Sequence, residues 1–400
     1  MKILCIHQNF PGQFRQLAPF LIDRGHDLKA ICSHSRPVGV ACDILRYSEP
    51  ITPDQPLPGH GSELWSEALQ RAESVARSCA ALKQRGWEPD RICAHSGWGE
   101  TLGIREIWPD VPQLIWPELW LQPIHGGHGV DPDKSPADLS AHLQLMGRNA
   151  LTRAALTQAS AWVLPTEHQA RSFPLEFQGQ RLHVIHEGIN TELAKPCPEV
   201  NFEVRGNKVD RSTPTITFVN RNLERLRGFD LFMHALPHIL KSHPTVRVLI
   251  VGDDKAGYGG IAGGRQRLLS QLRDQLDFDR IHFLGRIPHP HLIGLLQASW
   301  VHVYLSYPFI LGWSLLEAMA CGCCIVGSRG FPVEEVIADG VEGVLVPMHD
   351  PNRLAERVLM LLNSSEIRNR FGCAARLKAM QWDQRRVLPE LAKVVEQLHV

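Results

Sequence analysis

The sequence of 400 residues lacks a long uninterrupted apolar run, an excess of charge of either sign and a framework of paired cysteines. Its longest apolar region, residues 301–326, is broken by Pro308, Glu317 and several glycines, which excludes a membrane-spanning helix. The first ten residues, MKILCIHQNF, carry an apolar run too short for a secretory signal. We therefore expect a cytoplasmic protein, at most peripheral on the inner face of a membrane.

Charge is balanced, with 42 Lys and Arg residues against 42 Asp and Glu residues. This balance provides no global attraction to nucleic acid, so no nucleic-acid partner is expected. The ten cysteines are scattered, apart from Cys321, Cys323 and Cys324, which indicates a reducing compartment rather than disulfide bonds. No further ligand stands beside this cluster at a spacing that would suit a metal, so close packing of small residues is expected there.

Short apolar runs alternate with longer helical stretches along the whole chain. Residues 2–7, 27–32 and 246–252 are typical of buried strands, and residues 11–25 of an intervening helix. Such alternation predicts parallel sheets covered on both faces, and hence an α/β fold. The periodicity is lost over residues 188–213, which are predicted to form a linker. Because 400 residues exceed what one core usually supports, we predict two doubly wound domains, whose strand-end loops meet across a cleft.

A cluster of arginines follows the predicted strand at residues 215–220. Arg221, Arg225 and Arg227 lie in the segment NRNLERLRGFD, ahead of a helix that opens at Gly228. Free N–H groups and the dipole at a helix start add to guanidinium charge, so this pattern predicts an anion site. A solvated surface cluster is the alternative.

A single carboxylate, Glu317, lies within the apolar segment YPFILGWSLLEAMACG, residues 307–322. The predicted helix begins at Gly312 to Ser314, where small residues let backbone N–H groups approach a phosphate. Glu317 then lies about one turn inside the helix. A carboxylate near a helix start suits a pair of ribose hydroxyls, which need a bidentate acceptor. A capping or salt-bridged glutamate, the alternative, would normally have polar neighbours.

Several segments of the second half resemble the family 4 retaining glycosyltransferases, which have the two-domain GT-B fold. Residues 312–350 resemble the C-terminal signature of that family, and residues 219–236 resemble its phosphate-binding segment, with Arg227 in place of a lysine. Residues 283–292 (FLGRIPHPHL) resemble the loop that holds the nucleotide base. Residues 184–193 (VIHEGINTEL) resemble the end of the family's first domain.

The resemblance implies two Rossmann-like domains that face each other across a cleft. The first, residues 1–195, is expected to bind the acceptor, and the second, residues 205–382, the nucleotide sugar. The final helix, about residues 383–400, is expected to return to the first domain.

The resemblance also implies roles for residues of the second domain. Arg221 and Arg227 are expected to neutralise the donor diphosphate, and Glu317 to hold the ribose hydroxyls. The remaining donor contacts are expected from backbone groups at the helix start, which face the phosphates, and from the base loop: Gly312, Trp313, Ser314 and Leu315, then Arg286 and Ile287.

One position departs from the usual family pattern. The family has a second glutamate eight residues before the one matched by Glu317, and this chain has Phe309 there. The segment instead resembles a branch that reads Pro-Phe-x-x-x-Trp-Ser-Leu-Leu-Glu. Because an apolar ring cannot accept hydrogen bonds from sugar hydroxyls, the sugar contact must come from elsewhere, or the donor is unusual, or the chain is a non-catalytic homologue.

Loops after the strands of the first domain are expected to hold the acceptor. Gly12 and Gln13 follow the first strand, and His95 and Trp98 follow another, with Glu100 close behind. An aromatic ring at such a position can stack on a sugar face, although one His or Trp at a strand end is more often structural.

Glu118, in the segment PELW, stands about where many family members carry a histidine beside the reacting centre. It is expected to contact the donor sugar or the acceptor; the alternatives are a helix cap or an interdomain salt bridge. The Gly- and Pro-rich residues 125–136 are predicted to be a mobile acceptor loop. Its histidines, His125 and His128, lack a third ligand, so no metal site is predicted.

The hypothesis is a metal-independent, retaining glycosyltransferase with Glu118, Arg221 and Arg227 as catalytic residues. It would move a hexose-type sugar from UDP or GDP to a hydroxyl of a glycan or glycolipid. The nucleotide sugar is a co-substrate and no other cofactor is expected; the motifs leave the sugar, the linkage and the oligomeric state open.

Two alternative functions would use the same predicted phosphate site. A sugar-nucleotide epimerase of the same fold would need acid and base carboxylates in the cleft, and a non-catalytic sugar-nucleotide-binding homologue would lack turnover. An NAD-dependent dehydrogenase is disfavoured, because neither half opens with a glycine fingerprint and the glycine-rich residues 257–264 lack the strand-to-helix position that one requires.

Overall fold

The computed structural model describes residues 1–33, 39–51, 61–255 and 264–399. The chain divides into two compact units. The first unit consists of Met1–Pro123, Ala137–Gly188 and Gln384–Val400, and the second of Ile124–Pro136 and Ile189–Asp383. Most of the glycine-rich run at 257–264 and of the Pro-rich loop at 49–59 lies outside the described residues.

The first unit is built on a seven-stranded sheet in which all the paired strands are parallel. In spatial order the strands are Asp43–Arg46, Asp27–Cys32, Lys2–Ile6, Arg91–His95, Gln113–Trp116, Ala161–Leu164 and Leu182–Val184. The α-helices of this unit are Leu17–Asp23, Ser62–Gln84, Leu139–Gln158, Glu167–Ser172 and Gln384–Glu396. The strand order reverses between Lys2–Ile6 and Arg91–His95, and ligands of doubly wound sheets bind beyond the carboxyl ends at such a reversal.

The second unit repeats this plan with a six-stranded parallel sheet. Its strands are, in spatial order, Ile281–Gly285, Arg247–Asp253, Thr215–Asn222, Val301–Tyr304, Cys324–Ser328 and Gly343–Val346. The described α-helices are Phe229–Ser242, Gly264–Gln271, His289–Ala298, Trp313–Ala320, Val333–Val336, Pro351–Leu362 and Ser365–Ala379. The reversal lies between Thr215–Asn222 and Val301–Tyr304, so the loops that follow these two strands share one edge of the sheet.

Apolar clusters cover both faces of each sheet. Along the first strand, Ile3 and Cys5 enter one cluster, whereas Leu4 and Ile6 enter the other. This alternation follows from the two-residue period of a strand, and burial on both faces explains the near-continuous apolar runs in the sequence. Cys321, Cys323 and Cys324 are likewise buried in the clusters of the second unit.

The linker prediction was wrong over part of its length. Residues 188–213 include an antiparallel hairpin, Asn201–Val204 paired with Asn207–Asp210. Arg205 and Gly206 turn the chain with φ of 49° and 76°, and Val204 and Val209 are buried. Such a short, half-buried hairpin has too few apolar residues to differ from a polar loop in the sequence.

Two further strands, Asp43–Arg46 and Gly343–Val346, had no sequence prediction. The helix predicted over residues 11–25 divides into a 3₁₀ turn, Gly12–Arg15, and the α-helix Leu17–Asp23. None of the described helices combines the length and the apolar character that crossing a membrane requires.

Candidate active site

Glu118 follows the strand Gln113–Trp116 and has a left-handed backbone, with φ of 60°. This conformation is uncommon outside glycine and costs about 1 kcal/mol, so the surrounding structure must hold it. The Gln169 side-chain amide donates to the Glu118 carbonyl oxygen at 2.8 Å, and the Thr166 hydroxyl donates to Gln169 Oε1 at 2.9 Å. The Glu118 side chain remains 33% exposed. A strained backbone under an accessible carboxylate is a feature of functional sites.

Side chains from two other strand ends surround the Glu118 carboxylate. Gln13 Nε2 donates to Glu118 Oε1 at 2.6 Å, and His95 Nε2 lies 3.4 Å from the same oxygen. Gln13 Oε1 lies 2.6 Å from Nε2 of His7, whose ring centroid is 5.0 Å from that of His95. The structure thus brings together Gln13, His95 and Glu118, which were predicted from three separate motifs. It adds His7, which the sequence prediction missed.

Burial and neighbouring charges both shift the pKa values of this network. Burial lowers the pKa of His7 to about 3, and the nearby His95 adds to the shift. Burial also opposes protonation of His95, but the Glu118 carboxylate outweighs it and raises the pKa of His95. For Glu118, burial is outweighed by His95 and by the bond from Gln13, so the pKa of Glu118 is lowered. At neutral pH His7 is therefore neutral and Glu118 is ionised.

Gly12, predicted to bind the acceptor, accommodates the His7 ring. Its φ is 45°, and a Cβ atom there would lie 2.2 Å from His7 Nε2. Trp98 is half-buried, with the Arg148 guanidinium 5.9 Å from its ring centroid. Glu100 has no exposed surface, and burial raises its pKa, so its carboxylate is not accessible to an acceptor.

The three arginines of the second unit have different surroundings. Arg225 donates to both carboxylate oxygens of Asp131 at 2.5 and 2.6 Å and to Asp133 at 2.6 Å. Arg221 is exposed, and its side chain forms no hydrogen bond or ion pair with another described residue. The anion site predicted from the sequence is thereby reduced to Arg221 and Arg227, because the charge of Arg225 is neutralised by the segment Ile124–Pro136.

Arg227 is held against the loop that follows the strand Val301–Tyr304. Its Nη1 donates to Ser306 Oγ and to the Ile310 carbonyl, both at 3.1 Å. Gly228 allows this approach, because its φ is 67° and a Cβ atom there would lie 2.2 Å from Leu305 Cβ. The Arg227 guanidinium lies 5.3 Å from the ring centroid of Phe309.

Glu317 lies within the helix Trp313–Ala320 and is largely buried, with 11% of its side chain exposed. Its Oε1 accepts a hydrogen bond from His289 Nε2 at 2.7 Å. The carboxylate therefore has a polar partner that its sequence neighbours do not supply. Of the backbone N–H groups predicted to face the phosphates, that of Gly312 donates to the Tyr304 hydroxyl at 2.8 Å and that of Leu315 to the Gly312 carbonyl at 3.1 Å.

The residues predicted to hold the base, Arg286 and Ile287, lie between the strand Ile281–Gly285 and the helix His289–Ala298. Arg286 Nε lies 2.6 Å from Asp253 Oδ2, and Ile287 packs against an apolar cluster. In the segment Ile124–Pro136, His125 is buried and His128 Nδ1 donates to the Ser135 carbonyl at 2.7 Å. Across the described ranges, no group of three His, Cys, Asp or Glu side chains is arranged to hold a metal ion.

Two doubly wound parallel sheets, each with polar groups at the carboxyl ends of its strands, define the GT-B class, and solved structures agree. Sucrose-phosphate synthase from Thermosynechococcus elongatus superposes with a TM-score of 0.77 and 18% identity over 100% of this chain and 99% of its own. The Anabaena protein HepE, solved with UDP-glucose, has a TM-score of 0.72 and 18% identity over 100% of both chains. The predicted GT-B fold is therefore confirmed.

Family matches cover almost the whole chain. Residues 24–194 match the glycosyl transferase family 4 group, and residues 201–378 match glycosyl transferases group 1. A D-inositol 3-phosphate glycosyltransferase of Acidothermus cellulolyticus is 27% identical over 351 residues, which cover 84% of this chain and 71% of the relative. The chain is therefore a glycosyltransferase of the family 4 type. The predicted activity, glycosyl transfer from a nucleotide sugar, is confirmed as a class.

Proposed function

We propose that this glycosyltransferase moves a hexose-type sugar from UDP or GDP to a hydroxyl acceptor, with retention of configuration and without a metal ion. The donor would bind to the second unit, through Arg221, Arg227 and Glu317, and Glu118 would serve the reacting groups from the first. A glycan or glycolipid is the proposed acceptor, and the protein would act in the cytoplasm or peripherally at the inner face of a membrane.

The surroundings of Arg227 carry this proposal. Its guanidinium is anchored by Ser306 and Ile310 and faces an aromatic ring, Phe309, so no carboxylate among the described residues is paired with it. A glutamate in place of Phe309 would compete for these donors, whereas a ring attracts a cation without neutralising it. The positive charge therefore remains available to a diphosphate.

Guanidinium groups can stabilise a leaving diphosphate in the role that a divalent cation has elsewhere. Arg221 lies near the end of the strand Thr215–Asn222 and is exposed, and Arg227 follows the same strand. Attack by the acceptor on the face from which the diphosphate departs would give retention. A diphosphate oxygen could then accept the acceptor's proton, so this route needs no strong protein base.

Glu317 is placed on a helix that starts at the sheet edge and is proposed to accept hydrogen bonds from the ribose hydroxyls. His289 would orient its carboxylate through the bond at 2.7 Å. HepE was solved with UDP-glucose, which supports a nucleoside diphosphate sugar as the donor. The relative named for D-inositol 3-phosphate supports a hydroxylated acceptor.

A donor screen tests the proposal. The melting temperature and the release of nucleoside diphosphate would be measured with UDP- and GDP-hexoses, with and without EDTA. A ligand that binds the native state raises the melting temperature. We expect one nucleotide sugar to raise it, no effect of EDTA, and loss of the shift in Arg227→Ala and Glu317→Ala.

The matched control is Arg267→Ala, because Arg267 is a 62% exposed arginine of the same unit that pairs with Asp230 at 3.6 Å. Its donor response should remain that of the wild type. No stabilisation by any nucleotide sugar would overturn the donor site. Stabilisation without turnover, across a range of hydroxyl acceptors, would instead favour the non-catalytic homologue.

A further inference from the structure

We infer that His7 is a positioning residue, which acts through the Gln13 amide to orient the Glu118 carboxylate. The inference rests on the proposed function only in taking Glu118 as a site residue. His7 directly follows the first strand and is buried, with 7% of its surface exposed. Nothing in the sequence motifs pointed to it.

The hydrogen bonds determine the tautomer of His7. The backbone N–H of Asn9 points at His7 Nδ1 at 2.9 Å. Because a backbone N–H can only donate, Nδ1 must carry a lone pair, and the ring proton must lie on Nε2. The Nε2–H group then donates to Gln13 Oε1 at 2.6 Å.

Both ends of the Gln13 amide require the same orientation. At one end the His7 Nε2–H group needs an acceptor, which only the amide oxygen provides. At the other end the ionised Glu118 carboxylate can only accept, so it must face the amide NH₂ group, and the distance from Nε2 is 2.6 Å. Without His7, the first of these two constraints on Gln13 is lost.

As a consequence, the two carboxylate oxygens of Glu118 have different surroundings. Gln13 donates to Oε1, His95 Nε2 lies 3.4 Å from the same oxygen, and none of the described residues donates a hydrogen bond to Oε2. With one third of the side chain exposed, Oε2 is open to a hydroxyl group of a substrate. The relay therefore holds one oxygen of Glu118 and leaves the other for binding.

The charged and titratable groups close to His7 favour its neutral form. His95 is the nearest, with ring centroids 5.0 Å apart, and the Phe14 ring covers another side at 6.2 Å. Burial lowers the pKa of His7 to about 3, although Gln13 and Glu118 act in the opposite direction. A neutral His7 keeps the relay in one orientation throughout the neutral range.

The test uses NMR of the full chain and needs no turnover. In protein labelled with ¹⁵N-histidine, the His7 ring should show the Nε2–H tautomer and no titration between about pH 5 and 8. In protein labelled with ¹³C at glutamate carboxyls, Glu118 should titrate below the ordinary range of a glutamate. An Nδ1–H tautomer, or a His7 midpoint near 6.5, would overturn the inference.

Variants separate positioning from a merely structural role. His7→Leu should raise the Glu118 titration midpoint by roughly half a pH unit or more, because the bond that stabilises the charged form is weakened. His7→Gln can still donate from a side-chain amide and should restore most of the shift. An unchanged midpoint in His7→Leu would refute the relay.

His302→Leu is the matched control, because His302 is a fully buried histidine of the second unit, bonded to Thr217 at 2.8 Å. It should leave the Glu118 midpoint unchanged even if it lowers stability. Failure of the donor screen with an intact His7 signature would refute the proposed function and leave this inference standing.

Discussion

The candidate site of each unit includes a carboxylate with a histidine partner, Glu118 in the first and Glu317 in the second, but the two carboxylates are held in different ways. Glu118 lies on a strained loop, and side chains from two other strand ends bond or approach its carboxylate. Glu317 lies within a regular helix and accepts a hydrogen bond from His289. The difference shows that a carboxylate on a strained loop depends on several tertiary contacts, whereas a carboxylate on a helix is positioned mainly by its local segment.

The two sites also differ in how far their charges are satisfied within the protein. His95 and Glu118 shift each other's pKa values, and Gln13 already donates a hydrogen bond to one oxygen of the Glu118 carboxylate. In the second unit Arg221 has no partner among the described residues, and Arg227 has only neutral ones. The first site thus has the preorganised hydrogen bonds typical of a catalytic group. The second has guanidinium charge that is not neutralised within the described residues and can interact with an anion.

The largest expected effect is that of alanine at two glycines of the candidate sites, Gly12 and Gly228, where other atoms approach closely. A Cβ atom at Gly228 would lie 2.2 Å from Leu305 Cβ, and one at Gly12 would lie 2.2 Å from His7 Nε2. Because left-handed backbone and overpacking both destabilise, either change to alanine should lower the free energy of unfolding by roughly 3 kcal/mol, measured by urea unfolding.

Gly25→Ala and Gly340→Ala are the controls, since both positions have positive φ but nothing within 4 Å of an added Cβ atom. Each should lower the free energy of unfolding by only about 1 kcal/mol. Equal effects at all four positions would mean that backbone strain, and not close approach, dominates.

The next effect is the pH dependence of stability, to which one buried histidine of each unit should contribute. Burial lowers the pKa of His7 and of His302 to about 3 from an ordinary value of 6.5. Between these values the unfolded chain binds a proton that the native chain does not, so stability falls as pH falls below 6.5. The slope is about 1.4 kcal/mol per pH unit for each histidine.

Urea unfolding at several pH values between 4 and 6 measures how the free energy of unfolding changes with pH. Each histidine should contribute a slope of about 1.4 kcal/mol per pH unit. His302→Leu and His7→Leu should each lower the slope by the contribution of one proton. A slope that changes in only one of the two variants would show that the other histidine is protonated in the native state.

The smallest effect separates the roles of the two carboxylates. Glu317→Gln should weaken binding of the nucleoside diphosphate about tenfold, because a neutral amide makes weaker hydrogen bonds to the ribose hydroxyls than a carboxylate does. Glu118→Gln should leave that affinity within about twofold, since its proposed role concerns the reacting groups. Calorimetric titration with UDP and GDP measures both; equal losses would contradict the division of roles.

Much of the proposed donor site could be predicted because its residues lie in short segments with a local pattern. Arg227 and Glu317 each belong to a loop and helix whose local pattern already indicates an anion site. The prediction for Arg225 was less complete, since its partners, Asp131 and Asp133, are distant in sequence. Likewise, His289 could not be linked to Glu317, because 28 residues separate them.

The sequence by itself determined the α/β class, the two doubly wound sheets and the segments that carry the arginines and Glu317, because periodicity and helix starts are local properties. Only the tertiary structure decided that Arg225 is neutralised and that residues 201–210 form a hairpin. It alone joined His7, Gln13, His95 and Glu118, because adjacent parallel strands bring their carboxyl ends together whatever the distance between them along the chain.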